Sequence, residues 1–145
     1  MVSTAPAGVP PVSGVLETGL YVDDLARARD FYESVLGLKP MLADSRFCAY
    51  EAGPASVLLL FLRGATTTPV ELPGGTIPPH DGQGALHYAL AIPTDAVEDW
   101  AAHLAARGVV LESRVDWPGG GISLYFRDPD GNLVELATRG LWPNY

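Results

Sequence analysis

Three ionisable side chains stand inside apolar, strand-like stretches: Glu17 in Leu16-Glu17-Thr18-Gly19-Leu20-Tyr21-Val22, His87 in Leu86-His87-Tyr88-Ala89-Leu90-Ala91-Ile92, and Glu135 in Leu133-Val134-Glu135-Leu136-Ala137. Two carboxylates and one imidazole offer oxygen and nitrogen lone pairs. A half-buried carboxylate is costly unless it is paired, hydrogen-bonded or bound to a metal. Singly, each residue has an ordinary reading: Glu135 as an arginine partner or an edge residue, His87 as a hydrogen-bonded core residue, Glu17 as a solvated carboxylate. Taken together, they occupy equivalent faces of a duplicated framework.

That framework is an internal repeat. The strands at Leu16–Val22 and Leu86–Ile92 are each followed by a helix and then by three short strands. The first helix opens at Asp23 or Asp24, carries Ala28, Phe31, Val35 and Leu36 on one stripe, and stops at Gly37. The second opens near Thr94 or Asp95, aligns Val97, Trp100, Ala101 and Leu104, and ends at Gly108. The spacing predicts strands over 40–44, 47–52 and 57–63 in the first half. In the second it predicts 109–115, 121–127 and 133–138, with Asp130-Gly131 as a hairpin turn. The fold class is therefore α+β: two tandem βαβββ modules, residues 14–63 and 86–138, forming a half-open, cup-shaped mixed sheet. Residues 1–13 read as a loose tail and 139–145 as a C-terminal tail of one domain spanning 14–145. Residues 64–85 form a linker without periodicity, and a connection that long is often functional.

Alternation along a strand puts Leu16, Leu20 and Val22 toward the first helix and leaves Glu17, Gly19 and Tyr21 on the other face. In the second half Leu86, Tyr88, Leu90 and Ile92 face the helix, opposite His87, Ala89 and Ala91. Each ionisable residue is followed two positions on by Gly or Ala, an anchor with room beside it for a ligand.

Composition narrows the function classes. With 48% apolar and 18% charged residues over 145 positions, the chain reads as one globular domain. The apolar run Val57–Leu62 is too short to cross a bilayer. A net charge of −8 disfavours nucleic acid; it suits a cationic ligand or simply a soluble surface. Cys48 is the only cysteine, which excludes an internal disulfide and fits a reducing cytoplasm, and the N-terminal stretch lacks the features of a signal peptide.

The repeat, with Glu17 and His87 in its first strands and the segment Tyr125-Phe126-Arg127-Asp128-Pro129-Asp130-Gly131-Asn132-Leu133-Val134-Glu135 near its end, resembles the vicinal oxygen chelate superfamily. That superfamily groups glyoxalases, bleomycin-resistance proteins, fosfomycin-resistance enzymes and extradiol dioxygenases. The resemblance covers about residues 14–138 and implies that Glu17, His87 and Glu135 are metal ligands. A fourth ligand position would fall near Leu59, where no side chain can bind metal. The set suits Mn, Mg or Fe and is adequate for Zn. Leu124, Tyr125, Asp128, Pro129, Gly131 and Glu135 match the extradiol signature, but Trp117 stands where that signature expects His, and Glu17 replaces a His ligand. Catechol cleavage is accordingly not expected.

Tyr125 and His80 are the candidate catalytic residues: Tyr125 to hydrogen-bond a metal-bound oxygen, or else a strand aromatic that packs; His80 as an acid/base group beside Asp81, or else an exposed loop histidine. Arg63 and Trp117 are candidate substrate contacts, and Trp142 and Tyr145 either border the cleft or staple the chain end to the core. The resemblance implies a divalent-metal enzyme of lyase, isomerase or dioxygenase chemistry acting on a small oxygen-chelating molecule. The alternative is a non-catalytic, antibiotic-binding protein of the bleomycin-resistance type, and a third reading is a regulatory or immunity subunit without chemistry. The expected assembly is a homodimer in which Glu17 of one chain meets the partner's His87 and the partner's Glu135.

Overall fold

The computed structural model describes residues 6–145, so residues 1–5 of the expected N-terminal tail lie outside it; residues 6–13 are exposed and form neither helix nor strand. Each half builds the same four-stranded sheet. In the first, β1 (Glu17–Val22), β2 (Lys39–Ala43), β3 (Phe47–Glu51) and β4 (Val57–Leu62) lie in the order β1-β4-β3-β2. A two-strand hairpin follows, β5 (Val70–Leu72) with β6 (Gly75–Ile77). In the second half β7 (His87–Ala91), β8 (Ser113–Asp116), β9 (Ile122–Arg127) and β10 (Leu133–Ala137) lie in the order β7-β10-β9-β8. In both sheets the first and last strands pair in parallel and the other pairs are antiparallel. A parallel pair needs a crossover; helices α1 (Leu25–Ser34) and α2 (Val97–Ala106) begin the two crossovers.

Asp24 caps α1 by accepting the Arg27 N–H at 3.0 Å, and Gly37, at φ +67°, lets the chain leave the helix. A single 3-10 turn, Thr94–Ala96, leads into α2. The helix-facing residues of both sheets merge into one core that includes Leu20, Val22, Leu60, Leu124, Phe126 and Val134. Leu16 departs from its expected place on that face and is 63% exposed, because β1 begins one residue later. The last strand triplet begins at Ser113 rather than at 109. Val110 and Leu111 are exposed, and pairing with β9 starts only where the Glu112 N–H reaches the Tyr125 carbonyl. The linker is not devoid of structure either: Val70–Ile77 closes as the β5–β6 hairpin around Pro73-Gly74.

The two halves are tied by the Asp128–Asn132 turn. The buried Asp128 carboxylate accepts the Tyr32 hydroxyl at 2.8 Å, the backbone N–H groups of Asp130 and Asn132 at 2.9 Å each, and the Asn132 side-chain amide at 2.9 Å. Asn132 in turn accepts the Leu86 N–H, and Asp130 accepts the Asp23 N–H and pairs with Arg27 of α1. The Tyr88 hydroxyl donates to that of Tyr32 at 3.0 Å. Burial first, then Tyr88 and Asp128, push the Tyr32 phenol far above its ordinary range.

Candidate functional site

The open face of the second sheet collects most of the chemistry. Strand pairing places Leu133 beside His87, and Glu135 between Ala89 on one side and Tyr125 on the other. His87 Nδ1 lies 3.0 Å from the Leu133 carbonyl oxygen. A carbonyl only accepts, so Nδ1 carries a proton toward Leu133 and Nε2 is the ring nitrogen left outward. Nε2 stands 3.3 Å from Glu135 Oε1. Glu135 is 5% exposed, and its other oxygen accepts the Ser123 hydroxyl at 2.5 Å. Trp117 Nε1 donates to Ser123 Oγ at 2.9 Å. A chain of polar contacts therefore runs from Trp117 through Ser123 and Glu135 to His87. The Tyr125 ring lies 6.3 Å from that of His87, and its phenol is held above the usual range by burial and by the Glu135 charge.

The corresponding face of the first sheet is used differently. Glu17 is exposed at its start. The space beside Gly19 is not empty: a methyl group there would sit 3.1 Å from the Phe61 ring, which lies across the strand. The segment after β6 folds back over this face. His80 Nδ1 is 2.7 Å from the Tyr21 hydroxyl, and its ring packs edge-on to Phe61 at 4.7 Å. Thr66 holds both backbone polar groups of His80. His80, Phe47, Leu59, Phe61, Ile77 and Arg46 line a cavity of about 170 Å³. Leu59 thus forms part of an apolar wall.

Arg63 is occupied by its own chain: it pairs with Asp23 and donates to the carbonyls of Gly82 at 3.0 Å and Tyr21 at 3.3 Å. Asp81 accepts the Gly64 N–H at 3.2 Å. Tyr145 lies under Arg139, 4.5 Å from its guanidinium carbon, and lines a cavity of about 620 Å³ with Leu90 and Leu136 on the helix side of the second sheet. Trp142 is 65% exposed. Ser123 is the residue that sequence reasoning missed; a small polar residue two positions before Tyr125, on the face of Glu135, was the available signal.

Residues 14–136 match the Glyoxalase/Bleomycin resistance protein/Dioxygenase superfamily. The chain belongs to this superfamily. Among solved structures it is similar to a lactoylglutathione lyase from Agrobacterium tumefaciens, with 32% identity and a TM-score of 0.82 over 92% of this chain and 99% of that one. It shares its fold with a glyoxalase/bleomycin resistance protein/dioxygenase from Nocardioides (21% identity, TM-score 0.70, 94% and 91% covered). The same holds for a fosfomycin resistance protein from Listeria monocytogenes (20% identity, TM-score 0.66, 90% and 97% covered).

Glyoxalase-superfamily proteins typically use a divalent metal, and this chain brings two side chains of metal-ligating type together, His87 and Glu135. An imidazole nitrogen and a carboxylate oxygen face each other at 3.3 Å, a pair that a proton on Nε2 or a cation between them would bridge. Histidine ligands commonly fix their free nitrogen through a second-sphere acceptor, as Leu133 does for His87. Among the described residues of one chain no three His, Cys, Asp or Glu side chains converge, so Glu17 does not join the pair within its own chain. The physical reason is the topology: the helix-facing sides of the two sheets share one core, which leaves their open faces as separate surfaces. No helix among the described residues is long and apolar enough to cross a membrane.

Proposed function

We propose that two chains pair so that Glu17 of one, with the partner's His87 and the partner's Glu135, holds a divalent ion. On this reading the protein is a lyase- or isomerase-type enzyme acting on a small molecule with two adjacent oxygens. The observation that carries this reading is His87 Nε2 set 3.3 Å from Glu135 Oε1, with Nδ1 already committed to Leu133. Bound there, a divalent ion supplies Lewis-acid polarisation of a substrate oxygen. The chain's own residues do the rest. Tyr125 keeps its proton and donates to an oxygen that gains negative charge. His80 handles a proton through Nε2, its other nitrogen being held by Tyr21. Phe47, Leu59 and Phe61 give the substrate an apolar wall that excludes water.

Similarity to a lactoylglutathione lyase supports the lyase side of the superfamily. Glu17 and Trp117, standing where histidines would serve oxygen chemistry, argue against ring cleavage. The competing reading, a metal-free protein that sequesters a cationic drug, draws on the net charge of −8. Metal analysis of untagged protein separates the two. The enzyme reading expects about one divalent ion per chain, lost in both H87A and E135Q because too few donors remain. Full retention by both variants overturns it. Oxygen uptake with catechol and Fe2+ should stay near background, and turnover at ordinary enzymatic rates, about 1 s⁻¹ or more, would reassign the chemistry to a dioxygenase.

A further inference from the structure

Ser123 has no exposed surface although it belongs to the open face of the second sheet, and a buried hydroxyl needs partners. Its two contacts are unambiguous in direction. An indole Nε1–H can only donate, so at 2.9 Å Trp117 must donate to Ser123 Oγ. The single Ser123 proton is thereby turned away from Trp117, and Glu135 Oε2 at 2.5 Å receives it. So short a contact is typical of a hydroxyl donating to a charged carboxylate. One oxygen of Glu135 is therefore taken, and Oε1 alone stands beside His87 Nε2.

Trp117 is itself fixed. Its N–H donates to the Gly121 carbonyl at 2.8 Å, and its carbonyl accepts the Gly120 N–H at 2.9 Å. Gly119 and Gly121 of this turn press against the Gly140 backbone, where added methyl groups would approach to 2.6 and 2.7 Å. The turn is thus clamped to the chain end without room for a side chain.

We infer that Trp117 and Ser123 are positioning residues that hold Glu135 by one oxygen and present it to an incoming cation through Oε1 alone. The inference rests on the metal reading above, and it replaces a substrate contact as the role of Trp117. A free carboxylate could chelate through both oxygens; here a cation at Oε2 would compete with the Ser123 hydroxyl that Trp117 orients toward that oxygen.

The test titrates Mn2+ into metal-free, full-length wild type, S123A, S123T and W117F, following free Mn2+ by electron paramagnetic resonance. S123A should bind roughly 10- to 100-fold more weakly, W117F should lose less, and S123T, which keeps the hydroxyl, should recover toward wild type. A second measurement needs no metal: the Trp117 indole N–H signal, assigned with W117F, should move in E135Q and stay in place in E17Q. A merely structural Ser123 would not link those two ends. Affinity of folded S123A within about twofold of wild type, well short of the usual cost of a lost outer partner, overturns the inference, as does an indole signal unmoved by E135Q. Should S123A not fold, W117F and the indole signal decide. Wild type that binds no divalent ion removes the metal reading and this role together, whereas variants that bind like wild type remove only the role.

Discussion

The two half-modules share strand order and parallel closure, yet they treat their open faces in opposite ways. On the first, Phe61 lies over Gly19, and the segment carrying His80 closes onto Tyr21. Glu17 is left exposed at the start of a largely apolar wall. On the second, Ala89 and Ala91 remain uncovered, and a polar line runs from Trp117 to His87. The helix-facing sides diverge less: Val22 answers to Ile92, and Leu58 and Leu60 to Val134 and Leu136, all buried, while the buried Leu20 answers to the half-buried Leu90. The contrast teaches that a duplicated fold is held to its pattern where it packs. Where it faces solvent or a ligand, one copy is free to become a wall and the other a set of donors.

The sharpest way to break this comparison asks whether the two unlike faces ever meet. Chains carrying E17A, mixed by mild unfolding and refolding with chains carrying E135A, should form heterodimers in which one site of two is whole and metal binding returns from none to that level. Heterodimers that form and stay metal-free would place the donors within single chains.

Next in size is the seam that both halves share. D128A would leave the Tyr32 hydroxyl, two backbone N–H groups and the Asn132 amide without their acceptor. The expected loss is about 2–4 kcal/mol in urea unfolding. A loss under about 0.5 kcal/mol, the range of surface substitutions, would show that the turn does not tie the halves together.

The same seam predicts an alkaline limit. Burial raises the Tyr32 pKa in the folded state, so the folded form keeps its proton while the unfolded chain ionises near the ordinary phenol value of about 10. Stability is therefore full below about pH 10 and falls above it by up to about 1.4 kcal/mol per pH unit for this group. Y32F should flatten that slope, and an unchanged slope would assign the alkaline limb to other groups.

The smallest effect contrasts equivalent positions directly. G19A forces the Phe61 ring to shift and should cost about 1 kcal/mol. A89S, in the open sheet, should stay within about 0.5 kcal/mol. Equal costs at the two positions would mean that the faces are not differentiated as described.

Much of this was legible in the chain. Period-two alternation around Glu17 and His87 marked which residues turn away from the helices, and Gly37 and Gly108 marked where the crossovers leave them. The Asp128-Pro129-Asp130-Gly131 segment was legible as a family mark. Its work, joining α1 to the second sheet through Tyr32 and Arg27, depends on contacts about a hundred residues apart. The β5–β6 hairpin escaped because three-residue strands are too short to establish a period.

What the sequence by itself determined was local: which side chains alternate, where helices stop, and that Glu17, His87 and Glu135 belong to equivalent faces. Only the tertiary structure decided the partners. It paired His87 with Glu135, backed Glu135 with Ser123 and Trp117, engaged Arg63 with Asp23 and Gly82, and filled the space at Gly19 with Phe61. The reason is that alternation specifies a direction for each side chain and nothing about what lies there. Hydrogen-bond partners and close contacts follow from strand register and sheet packing, which join residues far apart in the chain.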